Sequence, residues 1–218
     1  EDAFLECFNI TTIVLPQGLK NIGNRAFKGC GGIEEILLPE SIISVGAEAF
    51  KHCDWLNHVD IPDSIEYIGE NAFSWCRNLE TINCFKTANT PKHYKSNDGI
   101  LYTNDGKTLV CYPMGKVDGS FEIPRGVKHI GPFSIVGNLW LNRIILPEGL
   151  LTIEDSAFAE CIELRSVTIP DTLKVIHKDA FFYCRSIIDF KISDNHKYFK
   201  NIEDSLYTKD QTALICYA

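Results

Sequence analysis

The chain has 218 residues and a formal net charge of −8, with 45% hydrophobic and 11% aromatic residues. This apolar content is enough for a packed interior and excludes disorder as the main interpretation. The 21 Lys and Arg residues form no run, so a phosphate-binding surface and a nucleic-acid partner are not expected. No segment approaches the roughly 20 consecutive apolar residues that cross a bilayer.

A 23-residue repeat organises most of the chain. Prolines recur at this spacing in two series, Pro16, Pro39, Pro62 and Pro124, Pro147, Pro170. The phrase between prolines carries an Ile-Gly or Val-Gly pair, then Ala-Phe, Cys, Leu and a short apolar alternation. One coil deviates, with Ser134-Ile135 in place of Ala-Phe and Asn138 in place of Cys. A fixed period of this length predicts stacked structural repeats.

Each repeat predicts the same local structure. The alternation at Leu164, Val167 and Ile169 is typical of a short half-buried strand, and Pro170 ends it because proline has no N–H for a ladder. A second short extended piece precedes the Gly, and the spacing of Ala-Phe, Cys and Leu predicts a helical or 3-10 turn. One coil cannot bury its own apolar edge, so the coils must stack with parallel strands.

The repeat resembles a known family. Residues 33–38 fit the leucine-rich-repeat pattern Leu-x-x-Leu-x-Leu, and a Pro corner replaces the usual Asn or Cys that follows. The whole phrase is similar to the BspA-type leucine-rich repeat of bacterial surface proteins. The resemblance implies an α/β leucine-rich-repeat solenoid, with parallel strands stacked in 23-residue coils, short helical or 3-10 turns, and β-hairpin insertions.

An insertion interrupts the repeat. Apolar runs flank Asp105-Gly106, and this pair is a strong hairpin signal because Gly accepts the positive φ of a tight turn. The phrase returns 105 residues later, where Gln211 replaces the Gly, which predicts a looser second hairpin. A spacer or brace is favoured over a binding role for these hairpins. We expect one solenoid over 1–218, with coils in 1–84, a hairpin insertion in 85–121, coils in 122–192 and a second, truncated hairpin in 193–218.

Nine cysteines raise the question of metal or disulfide chemistry. Six occupy one repeat position and should form a column inside the stack: Cys7, Cys30, Cys53, Cys76, Cys161 and Cys184. Because no Cys-x-x-Cys pair exists, small buried hydrophobes are favoured over zinc ligands. Side chains that point the same way down a column also disfavour disulfides. The redox state of Cys84, Cys111 and Cys216, which lie outside the column, is left open.

No pattern indicates catalysis. The six histidines are scattered over different repeat positions and form no metal-binding phrase: His52, His58, His93, His129, His177 and His196. Glycines at one repeat position are read as corners and not as a nucleotide loop: Gly23, Gly46, Gly69 and Gly131. We therefore predict no enzyme, no cofactor and no metal site.

The resemblance directs attention to the strand that precedes each Pro corner. In leucine-rich-repeat proteins the concave strand face binds partners, and here its outward positions are Glu35, Leu37, His58, Asp60, Thr81, Asn83, Arg143, Ile145, Ser166, Thr168, Asp189 and Lys191. We call these positions the strand face. A merely solvated surface is the competing interpretation. Trp55 and Trp140 share another repeat position, where binding and packing are equally plausible.

The resulting hypothesis is a cell-surface or extracellular module that binds or adheres to a protein of a host or neighbouring cell. The alternative is a structural spacer or stalk without a ligand. The chain opens in mid-repeat at Ala3-Phe4, ends at Cys216-Tyr217-Ala218 and begins with no signal peptide, so we expect part of a longer protein. An exposed solenoid end would also allow end-to-end self-association.

Overall fold

The computed structural model describes residues 1–84, 93–177 and 179–216. The start of the predicted insertion, 85–92, and Tyr217 of the second hairpin phrase lie outside these residues. The chain divides into two units, Glu1–Lys116 and Val117–Ala218. Within each unit, successive coils contribute one strand to each of two parallel sheets.

Unit 1 contains two three-stranded parallel sheets. The first consists of β1 (Asn21–Ile22), β3 (Ser44–Val45) and β5 (Tyr67–Ile68). The second consists of β2 (Glu35–Ile36), β4 (His58–Ile61) and β6 (Thr81–Cys84). Paired residues are 23 positions apart, as in Glu35, His58 and Thr81. The predicted parallel stacking of 23-residue coils is confirmed.

Unit 2 repeats this arrangement. One parallel sheet has the order β10 (Ser120–Glu122), β12 (Arg143–Ile145), β14 (Ser166–Thr168) and β16 (Asp189–Lys191). The other contains β11 (His129–Ile130), β13 (Thr152–Ile153) and β15 (Val175–Ile176). Because β10 pairs in register with β12, the coil pattern of this unit begins at Ser120, two residues before the expected block.

Each unit also carries three consecutive antiparallel strands, which we call its cap. Cap 1 consists of β7 (Tyr94–Asn97), β8 (Ile100–Thr103) and β9 (Thr108–Cys111). Cap 2 consists of β17 (Phe199–Ile202), β18 (Ser205–Thr208) and β19 (Leu214–Cys216). The predicted hairpins are β8–β9 and β18–β19. A further strand, absent from the prediction, precedes each of them.

The segment predicted as a helical or 3-10 turn is a run of β-turns, and the described ranges contain no helix. In the coil around Phe50, Glu48 and His52 have φ values of 55° and 60°, which interrupt any helical course. The Phe50 amide donates to the Ala72 carbonyl of the next coil at 2.8 Å, whereas the Lys51 amide donates locally to Glu48. Successive amides donate in turn to the next coil and to a carbonyl of the same turn. A helix would need all of these amides for its own hydrogen bonds, so it cannot form here.

The corner glycines permit close approach between coils. A Cβ at Gly46 would lie 2.5 Å from the Asn24 amide nitrogen, and one at Gly69 would lie 2.3 Å from that of Ala47. No side chain fits at those distances, because the neighbours are backbone atoms. The shared glycine position is therefore explained by stacking, in agreement with the expectation that these residues form corners.

Two ladders of side chains fill the interior. Phenylalanine rings stack from coil to coil, with centroid separations of 5.3 Å for Phe27–Phe50 and 5.2 Å for Phe158–Phe181. Each buried column thiol donates to a carbonyl of the preceding coil: Cys30 to Phe4 (3.0 Å), Cys53 to Phe27 (3.2 Å), Cys76 to Phe50 (3.0 Å), Cys161 to Ile135 (2.9 Å) and Cys184 to Phe158 (3.0 Å). A small side chain with a weak donor thus satisfies a backbone acceptor inside the core.

Candidate binding surface

The strand face forms two columns in each unit, because side chains two residues apart point to the same side of a strand. In unit 1 the first column contains Glu35, His58 and Thr81, and the second contains Asp60 and Asn83. Leu37 follows β2 directly and lies 23 residues before Asp60. Its side chain is 68% exposed, which leaves a large apolar group in water. All six predicted positions of this unit therefore lie along one sheet.

Polar contacts within unit 1 occupy several of these side chains. The Asn83 amide donates to Asp60 at 3.1 Å, and His58 Nε2 lies 3.9 Å from a Glu35 carboxylate oxygen. His58 Nδ1 also contacts the side-chain oxygen of Asn57.

In unit 2 the strand face has four members in each column. The first column is Ser120, Arg143, Ser166 and Asp189, and the second is Glu122, Ile145, Thr168 and Lys191. Sequence reasoning missed Ser120 and Glu122. The 23-residue period could have identified them, since they lie 23 residues before Arg143 and Ile145. The structure thus brings all six predicted residues of unit 2 together and adds two.

The caps adjoin the last strand of each strand face. In unit 1 the Ile82 amide of β6 donates to the Gly99 carbonyl at 2.8 Å, and the Cys84 amide donates to the Ser96 hydroxyl at 2.8 Å. A Cβ at Gly99 would lie 2.9 Å from the Thr81 side chain, so the cap covers Thr81. The hairpin insertion therefore braces an otherwise open sheet edge.

Cap 2 braces the last strand of the strand face in unit 2 through Asn201, which is longer than the Ser96 side chain of cap 1. Asn201 donates to the Phe190 carbonyl of β16 at 2.8 Å and also contacts Asp189 at 3.5 Å. His196 is buried just before this cap, where its Nδ1 accepts the amides of Tyr198 and Phe199 and its Nε2 bonds to the Pro170 carbonyl. This histidine is a structural group.

Burial suppresses the reactivity of the thiols inside the coils. Burial raises the pKa of the Cys161 thiol to about 12 and that of Cys84 to about 11, so both are protonated at neutral pH. All nine cysteines are free, and Cys7 is only half-buried. Nucleophilic attack and zinc binding both require a thiolate. Across 1–84, 93–177 and 179–216, no group of three His, Cys, Asp or Glu side chains could hold a metal ion.

Both tryptophans at the shared repeat position face solvent. Trp55 is 60% exposed and Trp140 is 55% exposed, so neither is a core residue. In each case the next two residues are Leu and Asn, and the Leu is buried beneath the ring-bearing loop. Large exposed aromatic groups are favoured anchors at binding sites.

A family model described as the BspA type leucine rich repeat region matches six copies over residues 1–96 and 118–209. No curated protein matches the chain. Among the residues that the structure describes, no helix is long and apolar enough to cross a membrane.

Three crystal structures of bacterial proteins share the fold. The pneumococcal vaccine antigen PcpA aligns with a TM-score of 0.71 and 25% identity, covering 83% of this chain and 50% of PcpA. A leucine rich cell surface protein from Faecalibacterium prausnitzii gives 0.69 and 23%, covering 89% of this chain and 62% of that one. A leucine-rich repeat protein from Bacteroides ovatus gives 0.62 and 27%, covering 90% and 46%.

The chain spans about half the length of these solved proteins. The family model, in contrast, matches well over half of the chain. The chain belongs to the BspA-type leucine-rich-repeat family.

Proposed function

We propose that this chain is a recognition module of a bacterial surface protein that binds a protein of a host or neighbouring cell through the strand face. The observation that carries the proposal is the varied chemistry of this face on a regular ladder. The first column of unit 2, for example, runs from Ser120 through Arg143 and Ser166 to Asp189. A spacer would need only a uniformly solvated surface.

Unit 2 offers the strongest contact groups. The Arg143 and Lys191 side chains are exposed, and neither makes a hydrogen bond or ion pair with any residue that the structure describes. Ile145 lies two residues after Arg143 on β12 and adds apolar surface, and Thr168 pairs in register with both Ile145 and Lys191. An arginine beside an apolar group is typical of the residues that dominate protein–protein binding energy.

A surface location agrees with the descriptions of two structurally similar proteins, a vaccine antigen and a cell surface protein. The proposal assigns no enzymatic role to the chain. The function rests on binding alone.

The test measures binding of the tagged chain to immobilised fibronectin, laminin, fibrinogen and type IV collagen. A variant with His58, Asp60, Arg143 and Lys191 changed to Ala should weaken saturable binding by at least about tenfold, since such groups contribute about 1–2 kcal/mol each when central.

The matched control changes four outward residues of the other sheets or their flanks, Glu66, Tyr67, Lys174 and Val175, to Ala. This control should keep its affinity within about twofold. If the folded chain binds none of the four proteins, or if both variants bind equally well, the strand-face proposal fails and the spacer interpretation replaces it.

A further inference from the structure

A second surface in unit 2 differs from the strand face in construction. Leu139, Trp140 and Asn142 line one side of a cleft, and Glu163 and Arg165 of the next coil line the other. We call this the Trp140 cleft. Its volume is about 540 Å³, and it is widely open to solvent. It lies directly before β12 and β14, whose first residues follow Asn142 and Arg165.

A break in the repeat builds the cleft. Asn138 stands where the other coils have a column Cys, and it is fully buried. Its side-chain oxygen accepts the amides of Trp140 at 3.0 Å and Leu141 at 2.8 Å. In unit 1 the corresponding Trp55 amide bonds instead to the Gly31 carbonyl of the preceding coil. A buried polar side chain thus fixes the backbone that presents the Trp140 ring.

The polar groups around this ring are uncommitted. Within the part of the chain that the structure describes, the side chains of Trp140, Asn142, Glu163 and Arg165 make no hydrogen bond or ion pair. They therefore offer an indole N–H, a planar amide, a carboxylate and a guanidinium to a ligand. Asn138 breaks the cysteine pattern of the repeat at this place, and positions that break a repeat pattern are often functional.

We propose that the Trp140 cleft binds a neutral oligosaccharide. A sugar ring has an apolar C–H face that can stack on the exposed indole, and hydroxyl groups at its rim that pair with planar amide, carboxylate and guanidinium groups. One carboxylate and one guanidinium cancel in charge, which selects against strongly charged ligands. Because the cleft is open and its lining comes from two successive coils, an oligosaccharide that extends beyond one ring is favoured over a monosaccharide.

In the related loop of unit 1, the polar side chains next to the tryptophan already have partners. Trp55-Leu56-Asn57 repeats the Trp-Leu-Asn sequence of the cleft. However, the Asn57 side chain contacts His58, and Asp54, which takes the place of Leu139, pairs with Arg77 at 3.8 Å. Trp55 is therefore a matched control: a similarly exposed ring whose flanking Asn57 and Asp54 side chains are already engaged, with Asn78 and Glu80 at the positions of Glu163 and Arg165.

The test titrates the whole chain with maltotriose, mannotriose, globotriose and triacetylchitotriose, using saturation-transfer NMR and tryptophan fluorescence. At least one should bind saturably, with a Kd on the order of 0.1–1 mM. Trp140→Ala and Arg165→Ala should each weaken that binding by about tenfold, and Trp55→Ala should leave it within about twofold.

Asn138 is a positioning residue, and its test separates position from stability. Asn138→Cys restores the repeat residue, so the coil should remain folded in thermal unfolding while sugar affinity falls severalfold. The fourfold strand-face variant should keep its sugar binding, which makes this proposal independent of protein recognition. Failure of the folded chain to bind any of the four trisaccharides, or equal losses for Trp55→Ala and Trp140→Ala, would overturn the assignment.

Discussion

Caps 1 and 2 have the same backbone but different turn residues. In cap 1 the turn residues with positive φ include Gly99 and Gly106, at 70° and 71°. In cap 2 Asp204 and Gln211 take these places, at 62° and 61°. A left-handed conformation costs a residue with a side chain roughly 1–2 kcal/mol more than glycine. The turn geometry is therefore imposed by something other than glycine.

The shared element is a threonine–aspartate pair. In cap 1 the Thr103 hydroxyl donates to Asp105 at 2.8 Å and accepts the Thr108 amide at 3.1 Å. In cap 2 the Thr208 hydroxyl donates to Asp210 at 2.7 Å and accepts the Ala213 amide at 3.1 Å. Side-chain hydrogen bonds of this kind define a turn, and glycine only lowers its cost. The looser second hairpin remains a prediction.

The largest effects test whether the two caps are equally well packed. Leu101 and Leu206 are both fully buried at equivalent positions of β8 and β18. Leu101→Ala and Leu206→Ala should each lower the free energy of unfolding by about 2–5 kcal/mol, through lost burial and the cavity left behind. Urea unfolding measures both losses. As a control, Leu214→Ala, at an exposed position of β19, should cost less than about 1 kcal/mol.

A loss below about 1 kcal/mol for Leu206→Ala, beside a full loss for Leu101→Ala, would break the equivalence of the caps. It would show that cap 2 is loosely packed even though its strand register matches that of cap 1.

A second comparison uses the thiol that ends each cap. Burial raises the pKa of Cys111 to about 12 and that of Cys216 to about 11. The thiolate forms as the pH rises toward the pKa, so at pH 10 a larger fraction of Cys216 than of Cys111 should be thiolate. Iodoacetamide should therefore alkylate Cys216 faster, as measured by mass spectrometry of the two peptides.

Equal rates in the folded chain, or faster alkylation of Cys111, would contradict the expected order of the two pKa values. In the urea-unfolded chain the two thiols should react at the same rate, which serves as the control for intrinsic reactivity.

The smallest expected effect concerns the turn residue in which the two caps differ, Gly106 in cap 1 and Gln211 in cap 2. Gln211→Gly removes a side chain from the left-handed region and should stabilise cap 2 by about 0.5–1 kcal/mol. The reciprocal Gly106→Gln should destabilise cap 1 by a similar amount. Hydrogen exchange of the β18 and β8 amides detects both changes, and an unchanged exchange rate in both variants would mean that glycine contributes nothing at this turn.

The 23-residue period by itself determined the coil architecture. Residues such as Val59 and Ile82, 23 positions apart, had to lie side by side because a single coil leaves its apolar edge in water. The same period placed the column cysteines inside and aligned the strand face. Asp105-Gly106 likewise identified the β8–β9 hairpin, because its turn chemistry is local.

Three features were decided only in the tertiary structure. The turn after each corner is not helical, because its alternate amides bond to the next coil, and spacing within one coil cannot reveal that. Strand β7 has a polar sequence, Tyr94–Asn97, and exists because β8 pairs with it. The Trp140 cleft depends on the buried Asn138 side chain and on Glu163 and Arg165 from the neighbouring coil. Periodicity specifies which residues are neighbours, whereas hydrogen bonds between coils determine what those neighbours form.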